Sequence, residues 1–88
     1  MFAYILKPPP MPRSAETDEF FRRFKTVPGL LHAYNLGEVG KDDQGLVVAI
    51  WESREAAERY LDGDPLKKQV DESVPGVTRT MYEVVDSK

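Results

Sequence analysis

The chain contains no cysteine and a single histidine, His32. Without cysteine it cannot form a disulfide, a thiolate metal site or a thiol nucleophile. One histidine also excludes a metal site built from several histidines of one subunit. We therefore expect no metal site in this protein.

An excess of basic residues and a long apolar run are also missing. Lys and Arg number 12 against 15 Asp and Glu, so the net charge is −3 and neither nucleic acid nor an acidic membrane is an expected partner. No apolar stretch approaches the ~20 residues that span a bilayer. Residues 1–7 lack the basic start and the cleavage site of a signal peptide. We expect one soluble, cytoplasmic domain over residues 1–88, because 88 residues fill only one core.

A short internal repeat indicates the architecture. Residues 27–30 read Val-Pro-Gly-Leu and residues 74–77 read Val-Pro-Gly-Val. Each copy follows a helix-like segment and precedes a strand-like one, which is typical of two βαβ halves. The alternative is a coincidence, because Val-Pro-Gly is a common connection from helix to strand.

The segments between these markers predict the order βαββαβ. Strands are predicted at residues 2–7, 30–37, 46–51 and 77–85 from their β-branched and aromatic content. Ser14 and Ser53 are candidate N-caps of two helices, and the second helix is interrupted at Gly63 and restarts at Asp64. Right-handed crossovers then give an α+β, ferredoxin-like fold, with a four-stranded antiparallel sheet in the order 4-1-3-2 and helices on one face.

Both faces of this sheet are predicted to be apolar. In the third strand the two faces carry Leu46, Val48 and Ile50 on one side and Val47, Ala49 and Trp51 on the other. The two helices can cover only one face, and a large exposed apolar patch usually marks an association surface. We therefore predict a homodimer in which the sheet faces pack together. The alternative is a monomer whose large strand-end side chains fold over the open face.

Two segments resemble a known family. One is Val-Pro-Gly at residues 27–29 before a strand. The other is Trp-Glu-Ser-Arg-Glu-Ala-Ala at residues 51–57, followed by Tyr60-Leu61 and residues 64–67. Together, over roughly residues 2–85, they are similar to the antibiotic biosynthesis monooxygenase-like domains of the dimeric α+β barrel superfamily.

The resemblance implies a dimeric α+β barrel and a small cofactor-independent monooxygenase-like protein. Its expected substrate is an aromatic, quinol or polyketide-like small molecule. The alternative is a non-catalytic homodimer that binds a hydrophobic small molecule. Haem-degrading relatives carry a histidine late in the second helix and an asparagine in the first strand. The matching positions here are Val70 and a residue near Tyr4 or Leu6, so the resemblance implies no haem and no other cofactor.

Cofactor-free oxygenation requires a base, donors to a developing anion and a dry pocket. His32 is the candidate base, because only histidine has an unperturbed pKa near neutrality. Trp51, Tyr60 and Tyr82 are candidate catalytic donors. Each has a simpler alternative: a strand histidine bonded to water or backbone, and aromatic side chains that only fill a core or an interface. Arg79 is expected to pair with Glu83 or with an anionic substrate.

The order βαββαβ also suits an RNA-recognition module. Such a module requires basic and aromatic residues in its third strand. Residues 46–50 contain neither Lys nor Arg, so RNA binding is disfavoured.

Overall fold

Four strands and three helices follow one another in the order βαββααβ, described over Met1–Lys88 in a computed structural model. The strands are β1 (Phe2–Lys7), β2 (Leu30–Gly37), β3 (Gly45–Trp51) and β4 (Thr78–Glu83), and the helices are α1 (Ala15–Phe24), α2 (Arg54–Gly63) and α3 (Pro65–Ser73). None of the helices has the length and apolar composition needed to cross a membrane.

The strands form one antiparallel sheet in the order β2-β3-β1-β4. This is the predicted order 4-1-3-2 read from the opposite edge, so the fold-class prediction is confirmed. In the centre of the sheet Tyr4 lies between Ala49 of β3 and Met81 of β4. This register fixes which side chains face the helices.

The helices begin where the sequence predicts. The Ser14 hydroxyl accepts a hydrogen bond from the Thr17 backbone N–H at 3.1 Å, and the Asp64 carboxylate accepts one from the Leu66 N–H at 2.8 Å. Such N-caps satisfy backbone donors that have no partner within the helix. Pro65 at the first helical position explains why α2 and α3 are separate helices.

Helix α1 ends at Phe24, four residues before Pro28. The backbone N–H of Thr26 bonds to the Arg23 carbonyl and that of Val27 to the Phe24 carbonyl, both at 3.1 Å. These tighter bonds, three residues apart, turn the chain before Pro28 and end the α-helical pattern.

The repeated Val-Pro-Gly segments perform the same task twice. Gly29 and Gly76 have φ angles of 87° and 86°, a left-handed conformation that glycine adopts without strain. A Cβ on Gly29 would also lie 2.4 Å from the Cβ of Ala56, because the chain passes directly beneath α2. Each segment therefore turns the chain from a helix into the next strand.

An aromatic cluster fills the space between the sheet and the helices. Tyr4 and Trp51 of the sheet meet Phe24 of α1 and Tyr60 of α2, with ring centroids 5.2–6.5 Å apart. All four side chains are buried, and Trp51 has no exposed surface. This cluster is the centre of the core and fixes the position of Tyr60 over the sheet.

No helix covers the opposite face of the sheet, which we call the open face. It carries apolar and aromatic side chains from all four strands: Ile5, Tyr34, Leu46, Val48, Ile50 and Tyr82. A bulge between Leu30 and His32 changes the alternation in β2. As a result Leu30 packs against the core, although simple alternation places it on the same face as Tyr34.

Candidate functional site

A cavity of about 640 Å³ opens between the sheet and α1. Phe20, Phe21 and Phe24 of α1 form one wall, and Leu6 and Val47 of the sheet lie among the lining residues. The mouth lies between the connector that joins β1 to α1 and the loop that joins β2 to β3. A cavity of this size and apolar character is typical of a site for a small organic molecule.

Tyr60 lies at the inner end of this cavity, next to the aromatic cluster. Its hydroxyl makes no hydrogen bond within the chain, and burial raises the pKa of Tyr60 well above its ordinary value. A raised pKa keeps the phenol protonated at neutral pH. Tyr60 can therefore donate a hydrogen bond to a bound molecule and does not serve as a base.

A partly buried charge lies behind the aromatic cluster. Arg79 of β4 donates from Nε to the Tyr4 hydroxyl at 2.9 Å and forms an ion pair with Asp71 of α3, which also pairs with Lys67 at 2.9 Å. Arg79 therefore pairs with Asp71 and not with Glu83, the partner expected from the sequence. The sequence did not predict that α3 packs next to β4 at this point. The second guanidinium nitrogen of Arg79, Nη2, is buried without a partner.

This network changes the titration of its members. Burial, the largest single effect, raises the pKa of Asp71, but hydrogen bonds from Lys67 and Arg79 outweigh it and hold that pKa below the usual value. Burial also raises the pKa of Tyr4, despite the opposing effect of Arg79. Asp71 therefore stays ionised, and Arg79 adds a positive charge to the protein behind the cavity.

The structure divides the four predicted site residues between the two faces of the sheet. Trp51 and Tyr60 lie together on the covered face, with ring centroids 5.8 Å apart. Trp51 packs behind the cavity, and its indole N–H is buried without a partner. His32 and Tyr82 lie on the open face, opposite Ile50 and Ala3 in the strand register. The four side chains therefore do not form one site.

His32 is exposed on β2, where its ring stacks on that of Tyr34 with centroids 6.4 Å apart. The cavity lies on the other side of the sheet. If His32 is a base, its substrate therefore binds at the open face or between two copies of the chain.

Asn35 is not among the site residues predicted from the sequence, although alternation along residues 30–37 puts it on the face opposite to His32. In the structure Asn35 pairs with Val47, and both line the cavity. The signal was available in the alternation of β2, because Asn35 shares its face with Ala33, which packs against the core. A polar side chain at such a position indicates contact with water or with a ligand.

Comparison with solved structures identifies the architecture. A variant of SnoaB, a cofactor-independent oxygenase from Streptomyces nogalater, superposes with a TM-score of 0.76 at 18% identity, over 98% of this chain and 94% of that one. An antibiotic biosynthesis monooxygenase superposes with a TM-score of 0.71 at 13% identity, over 98% and 100% of the two chains. The chain has the antibiotic biosynthesis monooxygenase fold. No protein-family model matches the sequence, and no curated protein matches it significantly.

The same fold occurs in MhuD, a heme-degrader from Mycobacterium tuberculosis whose structure holds two hemes in its active site. It superposes with a TM-score of 0.64 at 21% identity, over 100% of this chain and 99% of that one. Haem iron is held by an axial histidine, cysteine, methionine or tyrosine.

The residues of this cavity do not fit haem. Val70 and Leu6, two positions compared above with the haem-degrading pattern, line the cavity with apolar side chains. The only histidine lies on the open face, and Met11 is at the mouth. Tyr60 is at the inner end, but its raised pKa disfavours the phenolate that would bind iron. No group of three or more His, Cys, Asp or Glu side chains is placed to hold a metal ion.

Proposed function

We propose that the chain is a small cofactor-independent monooxygenase-like protein that acts on an aromatic, quinol or polyketide-like molecule in the cavity. The observation that carries this proposal is an apolar cavity with aromatic walls and a protonated phenol, Tyr60, at its inner end. The fold shared with SnoaB, a cofactor-independent oxygenase, supports the same reaction class.

The chemistry of such a reaction requires little from the protein. When a ring CH₂ group and O₂ give a ring carbonyl and water, the substrate supplies all four electrons and no external reductant is needed. The substrate first loses a proton, and its anion then transfers an electron to O₂. Tyr60 would donate a hydrogen bond to the oxygen that carries this negative charge, and the apolar walls would exclude water.

The proton of the substrate needs an acceptor. The carboxylates among the lining residues, Glu38, Asp42 and Asp43, lie at the mouth of the cavity. In this proposal the proton therefore leaves towards the mouth. The candidate base His32 lies on the open face, and its catalytic role stays a separate prediction.

A non-catalytic binder of a hydrophobic small molecule is the second candidate function. It is favoured by the lining of the inner cavity, where Tyr60 is the only titratable side chain and its pKa is raised. A protein of this kind would use the cavity for storage or transport of a ligand.

Oxygen uptake with anthrone and with 1,4-dihydroxynaphthalene distinguishes the two functions. We expect protein-dependent uptake, reduced about 10- to 100-fold in kcat by Tyr60→Phe, because that change removes only the donor. Tyr82→Phe, the same change on the open face, is the matched control and should leave kcat unaltered. Tight binding of both compounds without uptake would support the binder. Equal effects of the two variants would exclude Tyr60 as the donor.

We also propose that two copies associate through their open faces. Tyr34 and Tyr82 remain 52% and 53% exposed in the single chain, and apolar patches of this kind mark association surfaces. A stable interface buries about 1,600 Å² in total. Light scattering should give twice the chain mass of 10.0 kDa, and Val48→Lys at the centre of the face should give the single mass with an unchanged circular dichroism spectrum. A wild-type monomer at micromolar concentration would contradict this assembly.

A further inference from the structure

One polar side chain of β2 enters the cavity from the sheet. Along the covered side of this strand, Leu30 and Ala33 pack against the core, whereas the next position is Asn35. Asn35 lies beside Val47 in the cavity wall, and its amide makes no hydrogen bond within the chain. The amide is therefore free to bind a molecule in the cavity, with both donor and acceptor groups.

Other polar groups around the cavity are engaged or lie at its mouth. The hydroxyl of Thr17 bonds to the Ser14 carbonyl at 3.1 Å. At the mouth Arg13 pairs with Asp18 at 3.0 Å. Gln44 belongs to the loop between β2 and β3. Asn35 on the strand wall and Tyr60 at the inner end thus remain as neutral groups without a protein partner.

The wall of α1 determines the shape of ligand that can meet both groups. Phe20, Phe21 and Phe24 line the cavity, so a flat ring system can pack against aromatic side chains. Asn35 lies beside Val47, whereas Tyr60 packs on Trp51, four residues further along β3, with ring centroids 5.8 Å apart. Four strand residues span about 13 Å, so the two groups approach such a ring from separated positions. One oxygen on the ring could contact only one of them well.

We propose that Asn35 is a specificity-determining residue that binds a second oxygen of a flat aromatic ligand whose first oxygen is bound by Tyr60. The inference rests on the proposed use of the cavity and narrows its ligand class. The preferred ligand carries oxygens at two separated ring positions, as a para-quinol or quinone does. Asn35 is exposed in the single chain, so with an analogue that lacks the second oxygen its amide bonds to water, and the analogue loses the net value of that hydrogen bond.

The test compares three ligands of similar size under argon: 1,4-dihydroxynaphthalene, 1-naphthol and naphthalene. Binding is followed by quenching of Trp51, the single tryptophan, which packs against Tyr60, and is checked by calorimetry. We expect the diol to bind about tenfold more tightly than 1-naphthol, the value of one net hydrogen bond.

Variants assign that preference to a residue. In Asn35→Leu the diol and 1-naphthol should bind equally, while the affinity for naphthalene is unchanged or slightly higher. Asn35→Asp keeps the shape of the side chain and removes its N–H donors. It should weaken the binding of 1,4-naphthoquinone by about tenfold, because a quinone only accepts hydrogen bonds. Tyr34→Leu, next in sequence but on the open face, is the matched control and should keep the full preference for the diol.

The possible failures differ from one another. If Asn35→Leu still binds the diol tenfold more tightly than 1-naphthol, the proposal that Asn35 determines specificity is wrong, and the proposed function is unaffected. If none of the three ligands binds the wild-type protein, the proposed use of the cavity is wrong, and so is the proposed role of Asn35. Melting temperatures of the variants show whether each one is folded.

Discussion

The two faces of the sheet have similar apolar composition and different surroundings. On the covered face Tyr4, Ala49 and Trp51 are at most 1% exposed. On the open face Tyr34 and Tyr82 are 52% and 53% exposed. Alternation along the strands separates the two faces, but it does not show which of them carries the helices.

The comparison shows how the same kind of side chain acquires different roles. Tyr60 is buried by the aromatic cluster, has a raised pKa and meets the cavity. Tyr82 is half exposed on an edge strand that has no helix above it. Chemistry that depends on exclusion of water is therefore expected on the covered face, and association on the open face.

The largest difference between the faces is expected at two adjacent positions of β3. Trp51→Ala removes a fully buried indole from the aromatic cluster and should cost about 3–5 kcal/mol of unfolding free energy. Ile50→Ala, on the open face, should cost the single chain about 1 kcal/mol. Urea denaturation at low protein concentration measures both values.

The dependence on concentration sharpens this test. If the open faces associate, the cost of Ile50→Ala should grow as the protein concentration is raised, because the interface then adds to stability. The part of the Trp51→Ala loss that comes from the aromatic cluster lies within one chain, so it should be the same at every protein concentration. Equal losses for the two variants in dilute solution would refute the assignment of the covered face as the core.

The two Val-Pro-Gly turns offer a second comparison, because α2 packs on Gly29 but no helix packs on Gly76. Alanine at Gly76 must adopt a left-handed φ but meets only Pro9, at 3.7 Å or more, and should cost about 1–2 kcal/mol. Alanine at Gly29 has the same backbone cost and a clash with Ala56 beneath α2, so about 2–4 kcal/mol is expected. Thermal unfolding of Gly29→Ala and Gly76→Ala measures the difference. A larger loss at Gly76 would contradict the close packing of α2 on Gly29.

The sequence predicts the scaffold more completely than the site, for physical reasons. The caps at Ser14, Ser53 and Asp64 are local, because each bonds to a residue two or three positions along the chain. The pairing of Arg79 with Tyr4 joins residues 75 positions apart and depends on the sheet register. Local propensity therefore places the elements, whereas the partly buried charge of Arg79 gains its partners only when the elements are packed.

The cavity could not be predicted from the sequence for a related reason. Its lining residues come from several elements and from the two segments at its mouth. His32 was predicted to be a base from the chemistry of histidine alone, whereas the amide of Asn35 is neutral and gave no comparable chemical signal. The alternation of β2 did separate the two side chains correctly.

The covered face also holds a charge whose removal should have a moderate effect. Asp71→Asn leaves Arg79 without its anionic partner and should cost about 1 kcal/mol, a modest value because the Asp71 side chain is 35% exposed. The pKa of Asp71 is lowered from 3.8 by folding. Its contribution is therefore complete above about pH 4 and is lost as the pH falls through the folded pKa.

Urea denaturation between pH 2 and pH 7 tests this assignment. The difference in stability between wild type and Asp71→Asn should shrink as the solution is acidified below about pH 4. Asp18→Asn breaks an exposed ion pair with Arg13, whose side chain is 77% exposed, and serves as the control with a change below about 0.5 kcal/mol. A constant difference across the pH range would show that the Asp71 carboxylate does not stabilise the fold through its charge.

The smallest effect on stability is expected for His32→Ala, within about 0.5 kcal/mol, because the side chain is exposed and makes no hydrogen bond within the chain. This makes it a clean test of which face performs chemistry. If the reaction takes place in the cavity, the variant should keep the oxygen uptake of the wild type, since the sheet separates His32 from Tyr60. Loss of uptake with an unchanged mass and melting temperature would instead place the reaction at the open face. It would make His32 the base that its chemistry predicts.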